Sequence, residues 1–159
     1  DRKLIKLEFP KRYGGNIRAF IGAKEVQEIS LLNETGIVRG LKNLQSKVNN
    51  WLYQKSEQIS DILAEEPRIA AKAFPGRASI PIALLNLSHD QIECVYEKPG
   101  SLKIGHYVPG TRIPILSDVD LTTQFSNTKT ILNLAWHISD EIEYYLKDMG
   151  YQGEIVNII

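Results

Sequence analysis

Apolar positions in the amino-terminal part of the chain change from an alternating to a helical period. Residues 16–21 alternate polar and apolar side chains between glycines, which predicts a half-buried strand. A helical pattern begins at Glu25, and we expect that helix to end near Gly36, because glycine suits the residue just past a helix end. Apolar residues then recur every three or four positions from Ile37 to Leu63, which predicts one long amphipathic helix.

The apolar stripe of this long helix allows two interpretations. Packing against the rest of the chain is favoured over a coiled-coil dimer seam, because only about four heptads fit into the segment. Lys55 and Gln58 interrupt the stripe. We therefore expect the second half of the helix to be only partly covered.

After Pro67 the pattern changes to short apolar strands separated by helices. Strands are predicted at residues 68–73, 91–96, 112–116, 129–135 and 154–159. Helices are predicted at residues 80–87 and from Ile138 to a stop at Gly150, and residues 117–120 resemble a capping box.

Strands that alternate with helices of about ten residues are typical of a parallel sheet with right-handed crossovers. We predict an α/β fold: a Rossmann-like parallel sheet flanked by helices and preceded by a strand and a long amphipathic helix. The predicted organisation is an amino-terminal strand and helical element at residues 1–66 and a Rossmann-like domain at residues 67–159.

Composition and charge exclude several classes of protein. The 159 residues are 43% hydrophobic, and 19 Lys and Arg balance 19 Asp and Glu, so a general polyanion binder such as a duplex nucleic-acid protein is disfavoured. No apolar run reaches the roughly 18 residues of a membrane span, and no signal-peptide pattern opens the chain. We expect a cytoplasmic protein without membrane contact, and the initial Asp1 suggests a fragment or a processed chain.

Cysteine and histidine contents argue against metal and disulfide chemistry. Cys94 is the single cysteine and lies inside a predicted strand, which favours a buried, inert thiol. The three histidines are too far apart for a local metal motif. We therefore assign no metal ligands and no catalytic residues.

The turn after the first Rossmann-like strand is a candidate phosphate site. Ligands of open α/β sheets bind beyond the carboxyl ends of the strands, and the amides near Gly76 together with Arg77 could hold an anion there. About twenty residues on, Glu97 stands where such folds often bind a ribose hydroxyl. The G-x-G-x-x-G pattern is absent, which disfavours a nicotinamide-dependent enzyme, and an ordinary turn with a solvated arginine is an equal interpretation.

The Gly- and Pro-rich segment 97–111 is long for a connection in a compact domain, and such loops are usually functional or disordered. Its lysines and Tyr107 could contact a phosphorylated, ring-bearing ligand. A surface excursion shaped by its Pro and Gly residues is the alternative. Trp136 and His137, after another strand, are also well placed, although core packing is favoured for Trp136 and acid–base chemistry is disfavoured for His137.

Several segments resemble the carboxy-terminal domain of S-adenosylmethionine-dependent nucleotide-sugar C-methyltransferases. Residues 103–115, KIGHYVPGTRIPI, look like the family's K-x-G-x-Y-x-P-G-T-x-I-P-I block, which is the most specific part of the resemblance. Residues 134–142 resemble its L-A-W segment with the following D-E-I, and residues 70–77 its A-A-Y-G-A-P-A-K turn. Residues 13–18, YGGNIR, are similar to its H-G-G-S-x-R.

The resemblance implies a larger enzyme in which a zinc-bearing domain and a central cofactor domain precede this one. S-adenosylmethionine is expected in that central domain and no cofactor in this chain. The implied partners are the upstream methyltransferase domain and a nucleotide-diphosphate sugar, and a homodimer is possible. The chain departs from the family at Tyr13, Ala73 and Arg77, where the family has His, Gly and Lys.

The leading hypothesis is therefore a domain that binds the nucleotide sugar and is inactive alone, as part of a transferase of deoxysugar biosynthesis. The alternative is a stand-alone interaction or oligomerisation module that kept the fold and lost the ligand. The predicted substrate-binding residues are Gly76, Arg77, Ser79, Glu97, Lys103, Gly105, Tyr107, Gly110 and Thr111.

Overall fold

The computed structural model describes residues 2–10, 16–23 and 34–159. The chain divides into two compact units, residues 1–47 and 48–159, and each is described by itself. The domain boundary predicted after residue 66 remains a prediction.

The first unit contains a hairpin and a helix. Strand β1 (Lys3–Glu8), which the sequence pattern did not reveal, pairs antiparallel with β2 (Arg18–Gly22). Helix α1 spans Glu34–Lys42. The prediction that a helix ends near Gly36 is wrong, because this glycine lies inside α1, and the helix predicted from Glu25 to Leu32 falls outside the described residues.

The long helix predicted from Ile37 to Leu63 is confirmed as α2 (Leu44–Glu65), but it begins later than predicted, because the chain turns at Asn43 between α1 and α2. The carbonyl of Asn43 accepts a hydrogen bond from the amide of Lys47 at 3.1 Å. Asparagine is among the preferred residues at a helix start, so Asn43 begins a new helix instead of continuing the old one.

The second half of α2 is only partly covered, as expected, with Ile59 as its buried residue, although it is covered more than the first half. Ile59 is buried in the core of the second unit, whereas Leu44 at the start of the helix is half exposed. The interrupting Lys55 belongs to the packed face: its ammonium donates to the carbonyl of Asn157 at 2.7 Å. The indole of Trp51 donates to the carbonyl of Ile158 at 3.1 Å, so polar contacts at both positions fasten α2 to the end of the chain.

The second unit is built around five parallel strands. These are β3 (Ile69–Lys72), β4 (Ile92–Glu97), β5 (Ile115–Ser117), β6 (Thr130–Asn133) and β7 (Glu154–Asn157). Their order in the sheet is β5-β4-β3-β6-β7, and all neighbours are parallel. The chain therefore winds outward from β3 to one edge and then returns to continue on the other side of β3.

Helices cover both faces of the sheet, which confirms the predicted α/β fold. The short helices are α3 (Ser79–Leu84), α4 (Asp118–Gln124) and α5 (Ser139–Asp148). One apolar core contains Ile59 of α2 and Ile82 of α3, and a second contains Leu121 of α4 and Leu146 of α5. The strands are mainly apolar, as expected of a parallel sheet buried on both faces, and the buried polar residues among them are Lys72, Thr130 and Asn133.

Two further findings concern the described part of the chain. None of its helices has both the length and the apolar character that a membrane crossing requires. None of its groups of His, Cys, Asp and Glu side chains has three or more members placed to hold a metal ion.

Candidate functional site

The strand order places a topological switch point between β3 and β6 at the carboxyl edge of the sheet. The chain leaves β3 and β6 in opposite directions although these strands are neighbours, so the connections that follow them diverge. In open α/β sheets this switch point is the usual place for a ligand. The residues to consider are therefore those that follow β3, β4, β5 and β6.

The turn after β3 is held by the neighbouring strand. The amide of Ala73 donates to the carbonyl of Tyr96 at 2.9 Å, and the Phe74 side chain is buried. Ala73 has a φ of +61°, in the left-handed region that favours glycine. The turn thus keeps the backbone shape of a glycine turn although alanine occupies the position.

The residues after Phe74 face outward. Gly76 and Arg77 are exposed, and a side chain built at Gly76 would meet no other atom within 4 Å. The hydroxyl of Ser79 donates to the carbonyl of Gly76 at 2.9 Å. Arg77 is thus presented on a turn whose outer surface is open to a ligand.

Glu97 and Lys103 form a hydrogen-bond network with the backbone of the turn after β3. One oxygen of Glu97, Oε1, accepts from the Phe74 amide at 2.7 Å and from the Lys103 ammonium at 3.0 Å. The same ammonium donates to the Phe74 carbonyl at 2.6 Å. Lys103 therefore ties the segment after β4 to the turn after β3, and its charge is largely matched by Glu97.

Residues 105–115 form an edge hairpin beside β5. The amide of Gly105 donates to the Ile115 carbonyl at 3.0 Å, and the amide of Val108 donates to the Ile113 carbonyl at 2.9 Å. Val108 and Ile113 are fully buried in the core shared with α2 and α3. Gly110 follows Pro109 with a φ of +77°, as a turn with Pro and Gly in its two central positions requires.

The hairpin uses most of the polar groups of its own turn. The hydroxyl of Thr111 donates to the Val108 carbonyl at 2.8 Å and accepts from the Ile113 amide at 3.1 Å. Tyr107 is exposed and bridges to Pro114 through the backbone. Much of the K-x-G-x-Y-x-P-G-T-x-I-P-I block is thus explained by the geometry of a hairpin.

A buried ionic network lies under the carboxyl ends of β3 and β5. The Lys72 ammonium is 3.0 Å from both carboxylate oxygens of Asp118, and both side chains are almost fully buried. It also donates to the Tyr96 carbonyl at 3.3 Å, and the hydroxyl of Tyr145 donates to Asp118 at 2.7 Å. Charges are seldom buried in a core without a partner, and each member here has one.

The pKa values of this network follow from its burial. Burial lowers the pKa of Lys72, and the charge of Asp118 opposes this effect. The pKa of Tyr145 is raised to about 12, first by burial and then by the hydrogen bond to Asp118. Tyr145 therefore remains a protonated donor at neutral pH.

Lys98 extends this network to the surface. Its ammonium lies 4.3 Å from the centre of the Tyr145 ring, and the Lys72 ammonium lies 5.1 Å from the same ring. Pro99 and Gly100, the latter at a φ of +85°, close a turn in which the amide of Ser101 donates to the Lys98 carbonyl at 3.1 Å. The backbone of Lys98 is therefore fixed by the end of β4 on one side and by this turn on the other.

Sequence reasoning did not single out Lys72, Asp118 or Tyr145. The sequence did contain one signal for this network: Lys72 lies in a strand of otherwise apolar residues. A charge buried in such a strand needs a partner in the core. Asp118 was interpreted as part of a helix start: Ser117 does cap α4, accepting from the amide of Val119 at 3.3 Å, but the Asp118 side chain turns inward. Tyr145 was assigned only to the apolar face of a helix.

The predicted site residues fall into two groups. The structure brings Gly76, Arg77, Ser79, Glu97 and Lys103 together at the carboxyl ends of β3 and β4, and it places Gly105, Tyr107, Gly110 and Thr111 on the hairpin beside β5. After β6, Trp136 packs partly buried against the core, and His137 meets its ring edge-on at 5.5 Å between centres. The assignment of all nine residues to a substrate site remains a prediction.

Comparison with known proteins identifies a family. The model of a family described as C-methyltransferase C-terminal domain matches residues 12–158. No curated protein matches the chain.

Proposed function

The chain belongs to the C-methyltransferase C-terminal domain family, and we propose that it binds the nucleotide-diphosphate sugar on which its parent enzyme acts. The observation that carries this proposal is the topological switch point between β3 and β6 at the carboxyl edge of the sheet. It lies where open α/β sheets bind nucleotides, and an exposed arginine and a carboxylate stand beside it.

Arg77 is the residue we assign to the diphosphate. A guanidinium offers several donors in one plane and suits phosphate oxygens better than a single ammonium does. The open surface at Gly76 leaves room for the phosphate to approach the backbone. The hydrogen bonds of Glu97 with Phe74 and Lys103 both use Oε1. We assign the second oxygen, Oε2, to a hydrogen bond with a sugar hydroxyl.

We further propose that methyl transfer needs a separate domain that supplies S-adenosylmethionine. The β3 turn does not fit this cofactor well, because Ala73 and Pro75 replace the consecutive glycines that allow a backbone to approach an adenosyl group closely. This chain's part is to hold the acceptor sugar, and its activity alone is expected to be nil.

Calorimetric titration of the chain with thymidine and uridine diphosphates tests this function. A charged hydrogen bond contributes about 1.5–3 kcal/mol, so Arg77→Ala should weaken binding about ten- to a hundredfold. Arg68→Ala is the matched control, because Arg68 precedes the opposite end of β3 and makes an exposed ion pair with Glu93 at 3.6 Å. Binding that both variants retain at wild-type strength would exclude the β3 turn as the site.

The second candidate is an interaction or oligomerisation module, favoured by one observation. Val38 and Leu41 of α1 and Leu44 of α2 are each half exposed or more. Three large apolar side chains at helical spacing are typical of a face that packs against a partner. Light scattering on the same samples distinguishes the candidates: a stable dimer that binds neither nucleotide would favour the module and contradict nucleotide-sugar binding.

A further inference from the structure

The segment that follows β4 carries two lysines at the carboxyl edge, and their surroundings differ. The Lys103 ammonium is engaged by Glu97 Oε1 and the Phe74 carbonyl, so a ligand phosphate would have to compete with a carboxylate 3.0 Å away. The Lys98 ammonium meets the ring of Tyr145. Across the part of the chain that the structure describes, Lys98 has neither a carboxylate within ion-pair distance nor a hydrogen-bond acceptor for its ammonium.

The Tyr145 ring that Lys98 contacts is held in place by buried polar residues. The hydroxyl of Tyr145 is fixed by its hydrogen bond to Asp118, and Asp118 is fixed by the buried Lys72. An aromatic face attracts an ammonium without neutralising it, so Lys98 keeps its full charge and all three N–H donors. A cation positioned in this way before a ligand arrives loses little conformational freedom on binding.

Lys98 is also linked to the turn that carries Arg77. It directly follows Glu97, whose carboxylate holds the amide of Phe74, and Arg77 lies three residues after Phe74. Both cations therefore follow neighbouring parallel strands, β3 and β4, at the carboxyl edge of the sheet. A diphosphate carries charge on two phosphorus centres, which suits two separated cations better than one.

From this geometry we propose that Lys98, held over the ring of Tyr145, is the second phosphate-binding residue of the site and binds the diphosphate group of a nucleoside diphosphate together with Arg77. This inference rests on the proposed function and narrows it. Lys103 then serves as a positioning residue that ties the loop to the β3 turn. The Lys72–Asp118–Tyr145 network serves to hold the ring.

The test uses nuclear magnetic resonance of the ¹⁵N-labelled 159-residue chain, titrated with thymidine diphosphate and, separately, with inorganic pyrophosphate at one ionic strength. We expect the amides of Lys98, Gly100 and Ser101 to shift with both ligands. Lys98→Gln should weaken thymidine diphosphate binding about tenfold while the melting temperature stays unchanged, because an exposed charge is lost and no packing. Lys129→Gln is the matched control, since Lys129 is an exposed lysine just before β6, at the opposite edge of the sheet.

The ring is tested by two substitutions of Tyr145. Tyr145→Leu removes the aromatic face and should weaken binding about two- to fivefold, the effect of one partly exposed cation–π contact. Tyr145→Phe keeps the face and loses only the bond to Asp118 that holds the ring, so it should weaken binding less than Tyr145→Leu does. Equal weakening by both substitutions would indicate a loss of structure and contradict the role of the ring.

The outcomes separate this inference from the function on which it rests. If Arg77→Ala weakens binding and Lys98→Gln does not, the assignment of Lys98 is overturned while nucleotide binding stands. If the wild-type chain shows no shift with either ligand, both are overturned. A tenfold loss confined to Lys98→Gln and Arg77→Ala, with Lys129→Gln unchanged, supports both.

Discussion

Replacing Lys72 by methionine tests whether the carboxyl edge of the sheet depends on a buried ion pair. Methionine is close to lysine in length and fits an apolar strand, so the substitution removes the ammonium with little change in volume. It leaves the carboxylate of Asp118 buried, with the Tyr145 hydroxyl as its remaining hydrogen-bond donor. Removing one partner of a buried pair typically costs about 3–5 kcal/mol.

We expect a loss of about 3 kcal/mol in the free energy of unfolding, at the lower end of that range, because Tyr145 still donates to Asp118. Asp118→Asn should cost a similar amount, since it leaves the Lys72 ammonium buried beside a neutral amide. The double variant should lie within about 1 kcal/mol of the wild type, because replacing a whole buried pair by neutral groups is often nearly neutral. The two substitutions are therefore strongly coupled.

Urea denaturation followed by tryptophan fluorescence measures the free energy of unfolding of the wild type, the two single variants and the double variant. Trp51 and Trp136 both lie in the unit that contains the pair, and both are partly buried. With a slope of about 2 kcal/mol per molar urea, a loss of 3 kcal/mol lowers the midpoint by about 1.5 M. Single variants that lose less than about 1 kcal/mol, or a double variant equal to the sum of the singles, would refute the reasoning.

Two further predictions concern single positions. Ala73→Gly should raise the free energy of unfolding by about 0.5–1 kcal/mol, because the left-handed backbone costs alanine about 1–2 kcal/mol and the freer unfolded glycine chain offsets part of the gain. Asn86→Gly, at a φ of +51°, is its control and should have little effect because asparagine tolerates this region, so equal gains in urea denaturation would contradict the argument. Burial raises the pKa of the Cys94 thiol from 9.0 to about 11, so the unfolded chain ionises first and stability should fall as the pH rises from about 9 to 11. Cys94→Ala should flatten that part of the stability–pH profile, and a profile parallel to that of the wild type would disprove the assignment.

The parallel sheet could be predicted from the sequence because its strands are apolar on both sides and are separated by clear turn signals. All five strands were expected close to where they lie, with the third displaced: it was expected at residues 112–116 and begins at Ile115. The strand begins later because the residues before Ile115 belong to the hairpin, in which the amide of Val108 donates to the carbonyl of Ile113. Neither β1 nor the break at Asn43 could be read from apolar spacing, because β1 is mostly exposed and the helical period continues across the break.

Only part of the candidate site could be predicted from the sequence. Arg77 and Glu97 follow strands, and the rule that ligands bind at carboxyl ends places them directly. The distinction between Lys98 and Lys103 could not be drawn in this way, because both belong to one loop without periodicity. It depends on which lysine meets a carboxylate and which meets an aromatic ring, and the partners Phe74 and Tyr145 come from distant parts of the chain.

The strongest resemblance and the site's chemistry therefore occupy different residues of the same loop. In residues 105–115, the glycines, the Pro109–Gly110 turn and the pair Val108 and Ile113 are needed to form an edge hairpin that closes the core. A motif of this kind identifies a family because the fold requires it, whether or not it touches a ligand. In our proposal, recognition belongs to residues that follow the ends of the strands, above all Lys98 and Arg77. Substitutions there could change the ligand while the hairpin and the fold persist.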